Sequence, residues 1–174
     1  MTALAQTKII FRKKNSRKIK VNRKLKGESK EGFAERQMND LWKTLIDSRN
    51  QHSMMGCSAF GGTEMEIQQP EGHPCGLLAG HAYSIIDVLD IEVKILNDKE
   101  EYETNRRRLL RLRNPWGKKE WNGPFSDGSD ELIDNLKVLN TYVRRQNTQF
   151  DDDIEYFNEE ASDGTFLMPY EDWL

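Results

Sequence analysis

Apolar and polar positions repeat along this chain with two different periods, and the change of period divides it. Met38, Leu41, Trp42, Leu45 and Ile46 fall at i, i+3, i+4, i+7 and i+8, which makes one face of a helix over two turns. The spacing predicts a helix opened near Asn39 and closed at Ser48-Arg49-Asn50. Met54 to Phe60 is a short apolar run closed by Gly61-Gly62, and it reads as a buried strand. Residues 61–80 hold five glycines and two prolines, a density that predicts a long irregular loop of the kind that carries function.

From His81 onward the period is two. Ile91, Val93 and Ile95 alternate with Glu92 and Lys94, and Leu110 and Leu112 alternate with Arg111 and Arg113, the pattern of half-buried strands. The polar stretch from Asn97 to Arg106 reverses the chain between them. The pair therefore reads as an antiparallel hairpin whose far end brings residues near 81 beside residues near 114. Leu132, Leu136 and Leu139, with Ile133 and Val138, predict one further short helix. Asp163-Gly164 followed by Thr165 to Tyr170 predicts a turn and an edge strand. The fold class is α+β with an antiparallel sheet.

Charge adds a second division. The chain of 174 residues carries 26 Lys+Arg and 29 Asp+Glu, a net charge of −3. Residues 1–36 carry a charge of +9 and residues 37–174 a charge of −12, so a basic N-terminal arm joins an acidic body. Lys8 to Arg12 is a candidate short strand. The rest of the arm is too poor in apolar residues to bury a core, and it is expected to be extended or disordered unless an acidic partner holds it. A plain solvated tail is the alternative. An acidic protein assembly such as a microtubule wall fits residues 8–30 better than nucleic acid does, because Phe11 is their one aromatic for stacking on bases.

No apolar run of about 18 residues exists, so no membrane-spanning helix is expected, and the first residues lack the apolar stretch of a secretory signal. The arm is richer in Lys than in Arg, which argues against a mitochondrial presequence. Two cysteines, Cys57 and Cys75, form no C-x-x-C pair. A reducing cytoplasmic setting is expected, cytoskeletal if the arm finds such a wall.

Candidate chemistry sits at the hairpin's far end. His81 follows Gly80 and opens one strand; Asn114 closes the other, its backbone restricted by Pro115. An amide oxygen that accepts from one imidazole nitrogen fixes the tautomer and leaves the other nitrogen outward, which is what a general base beside a thiol needs. Trp116 is placed to cover that bond and exclude water. A histidine at a strand start is otherwise a core or surface residue, and Asn-Pro-Trp-Gly is otherwise a turn. Their meeting at the end of one hairpin is what favours the base.

The same residues resemble a known family. Met55-Gly56-Cys57-Ser58, Gly80-His81-Ala82-Tyr83-Ser84, Arg111-Leu112-Arg113-Asn114-Pro115-Trp116-Gly117, Trp121, Asp127 and Asp163-Gly164-Thr165-Phe166 together resemble the second half of the calpain protease core, over roughly residues 37–174. The resemblance implies the antiparallel-sheet half-domain of a papain-like fold, with His81 as general base, Asn114 as its orienting partner and Trp116 as cover. It also implies a calcium site at Glu120, Asp127 and Asp163, weakened because Thr165 stands where the family places a further ligating glutamate. Oxygen ligands suit that hard cation.

The family's nucleophile lies in an earlier half-domain, in a Gly-Asp-Cys-Trp type segment, and nothing of that kind precedes residue 37. Cys57 matches a packing position, and Cys75 is not in nucleophile context. The expectation is the second half of a calcium-dependent cysteine endopeptidase core, inactive alone and completed by a chain bearing the cysteine half. The alternative is a catalytically dead structural or interaction module anchored by its basic arm.

Overall fold

The computed structural model describes residues 8–12 (backbone only), 26–58, 64–69, 72–97, 99–146, 156–157 and 163–174. In chain order the elements are β1 (Lys8–Arg12), α1 (Lys30–Asn50), β2 (Met54–Ser58), β3 (Met65–Gln68), β4 (Pro74–Ala79), β5 (Ala82–Leu96), β6 (Tyr102–Arg113), α2 (Asp130–Gln146), β7 (Thr165–Pro169) and α3 (Tyr170–Trp173). Five strands form an antiparallel sheet in the order β1-β2-β5-β6-β7, and β3 and β4 make a separate two-stranded ribbon. The expected α+β architecture is the observed one.

Each face of the large sheet buries its own cluster. Trp42 and Leu45 of α1 and Tyr170 and Trp173 of α3 pack with Met55, Tyr83, Ile85, Val88, Leu110, Leu112, Phe166 and Met168. On the other face Leu132, Leu139 and Val143 of α2 meet Leu89, Ile91, Val93, Leu109 and Leu167. A register shift between Ile85 and Asp87 sets this arrangement. The extra residue reverses the in–out parity, so that Ile85 and Val88 share one cluster and Leu89 falls to the other.

Asn135 docks α2 on β5: its side chain accepts from Lys94 N and donates to Lys94 O, both at 2.8 Å. No described helix is long and apolar enough to cross a membrane.

Four elements differ from the sequence expectation, the last being α2, which runs over 17 residues where a short helix is expected. Helix α1 begins at Lys30, ahead of the periodic run. Ser29 caps it by accepting from Gly32 N at 2.9 Å, and Glu28 takes both Arg36 Nε and Nη2 at 2.9 and 3.0 Å. Polar caps leave no trace in apolar spacing. The hairpin β5–β6 is longer than its alternating stretches, with pairing continuous to Leu96↔Tyr102. Asn97 closes the reversal by accepting from the backbone of Lys99 and Glu101.

The third difference is in the glycine-rich stretch, which contains the β3–β4 ribbon instead of an irregular loop throughout. Gly76, at φ +83°, does not loosen the strand; a Cβ there would overlap the carbonyl of Glu120. Asn122 fastens the ribbon to the 115–123 loop, its N–H donating to Cys75 O at 3.2 Å and its side chain to Pro74 O at 2.8 Å. The basic residues 13–25 lie outside the described residues.

Candidate active site at the end of the long hairpin

His81 stands just before β5 and Asn114 just after β6, so the register that pairs Ser84 with Arg113 brings them together. His81 Nε2 lies 2.9 Å from Asn114 Oδ1. The amide is fully buried and held on every side. Its oxygen also accepts from Trp116 N at 3.0 Å, and its nitrogen donates to the carbonyls of Lys118 and Lys119 at 2.6 and 3.1 Å. These bonds fix which end of the amide is oxygen, so Nε2 of His81 is the proton donor.

Beneath the turn, Asn114 N donates to Gly164 O at 2.7 Å. Gly164 is at φ +84°, and a Cβ there would meet Gly117 Cα and Asn114 O at 2.5 and 2.8 Å. The close contact of the two turns requires glycine.

Aromatic rings enclose the imidazole. Trp116 lies 4.3 Å from it at 52°, and Tyr83 meets it edge-on at 5.0 Å. Tyr83 Oη accepts from Leu78 N at 2.9 Å, which ties β4 to β5 behind the ring. The remaining ring nitrogen, Nδ1, faces Glu64 Oε1 at 3.0 Å. Sequence reading gave no role to Tyr83, although its placement two residues from His81 puts both on one face of a strand. Glu64 has no periodic signal at all; its contact is purely tertiary.

Glu120, Asp127 and Asp163 come close together beside this turn. Glu120 Oε1 accepts from Gly164 N at 2.6 Å, and Asp163 Oδ1 accepts from Thr165 N at 2.8 Å. Asp127 is pushed up to about 7, chiefly by burial and then by its hydrogen bond with Glu120 and the charges of Glu120 and Asp163. Its Oδ2 is buried with no hydrogen-bond partner. That orphaned oxygen beside a second carboxylate fits a cation in part. Among the described residues, however, no three acidic, His or Cys side chains converge as a metal shell, and Thr165 adds no carboxylate.

Neither thiol reaches the imidazole, whose nitrogens face Asn114 and Glu64. Burial pushes Cys57 up to about 11, against a hydrogen bond from the Trp173 indole, and burial also raises Cys75. Both are packed thiols whose burial disfavours the thiolate.

Comparison with known proteins matches residues 11–174 to the family described as calpain family cysteine protease. Calpain-5 of Caenorhabditis elegans is 33% identical over 141 residues, 78% of this chain and 19% of that protein. Calpain-9 of Rattus norvegicus is 32% identical over 136 residues, 77% of this chain and 16% of that protein. The calpain-1 catalytic subunit of the same species is 29% identical over 137 residues, 78% of this chain and 16% of that protein. The chain thus spans less than a fifth of the length of these relatives.

Proposed function

The chain belongs to the calpain family of cysteine proteases, and within it we propose that this subdomain supplies the general base of a cysteine endopeptidase whose thiol comes from elsewhere. The observation that carries the reading is the buried His81–Asn114 pair under Trp116, with one ring nitrogen turned away from the asparagine. In that role Nδ1 of His81 takes the thiol proton, and the sulfur is left as a thiolate able to attack a peptide carbonyl. Asn114 keeps the Nε2–H in place throughout, and Trp116 shields that bond from water, where it is stronger.

Taken alone, the chain is inactive in this reading, because Cys57 and Cys75 are buried and protonated. The missing partner is a chain or segment carrying the cysteine-bearing half-domain.

Calcium belongs to the same proposal. Glu120 and Asp127 would hold it, with Asp163 alongside, and the ion would supply positive charge against their mutual repulsion. Thr165 makes the site weaker than one with a fourth carboxylate.

A second reading, a catalytically silent module anchored through residues 8–30 to an acidic cytoplasmic or cytoskeletal assembly, is favoured by Thr165 and by the charge of the arm. Isolation of the native chain under mild conditions, with mass spectrometry of what accompanies it, separates the two. A longer chain or a partner with a reactive, epoxide-labelled cysteine supports the protease half. A 20.3 kDa chain with only structural neighbours supports the module.

A further inference from the structure

The nitrogen of His81 that Asn114 does not hold is covered by this chain's own carboxylate. Asn114 Oδ1 can only accept, so Nε2 carries a proton. A bare Nδ1 would then point its lone pair at Glu64 Oε1 only 3.0 Å away, a repulsive meeting of two acceptors. A proton therefore lies between them, and Nδ1–H donates to Glu64 as a charge-assisted bond. The pair is an imidazolium beside an anion, the same charge arrangement that a thiolate makes with a catalytic imidazole.

The exposure of the two partners is unequal. His81 is 5% exposed, whereas the Glu64 side chain is 45% exposed. Glu64 lies just outside β3, whose Glu66 pairs with Lys119 Nζ at 3.3 Å. The ribbon is thus fastened at Glu66, and the capping carboxylate stands at its exposed margin.

We propose that Glu64 is a positioning residue that occupies the place a thiolate takes beside the ring, capping Nδ1–H of His81 until a thiol displaces it; on displacement Nδ1 gives its proton to water, and the bared nitrogen then takes the thiol proton. This rests on the reading that the nucleophile comes from a half-domain other than this one. The group it fits is a thiol presented to Nδ1 from the side that Glu64 covers.

The test uses the intact chain and diethyl pyrocarbonate, which acylates unprotonated imidazole nitrogens. His52 and His73 are both exposed and act as internal standards. The wild type, E64Q and E64D are compared, with E64A as a second variant that neither donates nor accepts. Loss of a charge-assisted bond corresponds to about tenfold or more in accessibility. His81 is expected to react about tenfold faster in E64Q and E64A, while E64D restores protection and His52 and His73 react alike in all. Nitrogen–proton spectra should show an Nδ1–H signal in the wild type and E64D that is lost in E64Q.

Equal His81 rates in all variants, or an Nδ1–H signal that persists in E64Q, overturn the proposal. None of these readouts needs a partner. Intact protection with no complementation by a cysteine half would therefore count against the protease reading alone, and complementation with an unprotected His81 would count against Glu64 alone.

Discussion

The Nε2 of His81 and the Oδ1 of Asn114 lie 2.9 Å apart across a separation of 33 residues, and strand register is what joins them. Every pair from Leu96↔Tyr102 up to Ser84↔Arg113 contributes to that placement. The asparagine also organises the turn that follows, through its bonds to Trp116 N and to the carbonyls of Lys118 and Lys119. Replacing it by alanine takes the side-chain partner from two carbonyls, the Trp116 N–H and an imidazole N–H. N114A is expected to lose about 2 kcal/mol of stability, from the cost of unmade buried hydrogen bonds. Denaturant unfolding measures it, and a loss below about 0.5 kcal/mol would mean that water replaces the amide.

Gly164 sets the height at which the turn sits. Alanine there must adopt a φ near +84° and also push its Cβ into Gly117 and Asn114. The strained backbone costs about 1–3 kcal/mol before the clash is counted. G164A is expected to unfold at lower temperature and to weaken the Nε2–H signal of His81. G128A is the control, since Gly128 has a similar φ of +75° with open space around it, and it should show the backbone strain without the loss of that signal.

Two ion pairs made by aspartates of β5 should behave differently. Arg49 Nε meets Asp87 Oδ1 at 2.8 Å with side chains 17% and 7% exposed, whereas Arg106, paired with Asp90, is 74% exposed. R49A strands a buried carboxylate beside the register shift in β5 and is expected to cost about 3 kcal/mol. R106A is expected to cost about 0.5 kcal/mol, because water screens an exposed pair. Similar losses for the two would show that burial does not separate them.

Asp127 gives the chain a pH dependence with a definite sign. Its folded value of about 7 stands above the usual carboxylate range, so the folded chain holds this proton more tightly than the unfolded chain does. The resulting stability is fully present below the ordinary carboxylate value. It falls as pH rises toward about 7 and is absent above it. D127N should flatten this decline. If Glu120 and Asp127 hold calcium, the ion should raise the unfolding temperature at pH 8 and have little effect at pH 5 or in D127N. A calcium effect that survives in D127N would place the ion elsewhere.

How far the sequence disclosed this molecule varied with the kind of signal. Alternation in Ile91–Ile95 and Leu110–Leu112 exposed the long hairpin, and the meeting of residues 81 and 114 followed from pairing alone. The start of α1 was hidden because Ser29 and Glu28 act through polar bonds that have no period. The β3–β4 ribbon was hidden because glycine and proline density reads as loop, whereas Gly76 is there to let Glu120 approach. Helix α2 runs longer than its leucines indicated, since Asn135 and Asn140 fill buried positions of its face. Glu64 was illegible for a stronger reason: an exposed carboxylate acquires its meaning only from the ring it touches.

The most direct measurement mixes this chain with a separately produced cysteine-bearing half-domain of a calpain relative and follows covalent labelling of that cysteine by a thiol-reactive epoxide, with calcium present. Labelling is expected to accelerate by at least about 100-fold on mixing, the scale of general-base assistance. The acceleration should vanish with H81A and weaken with N114A. No acceleration on mixing, or acceleration that survives in H81A, would contradict the assignment of His81 as the base and leave the chain as a binding module built on a protease half-fold.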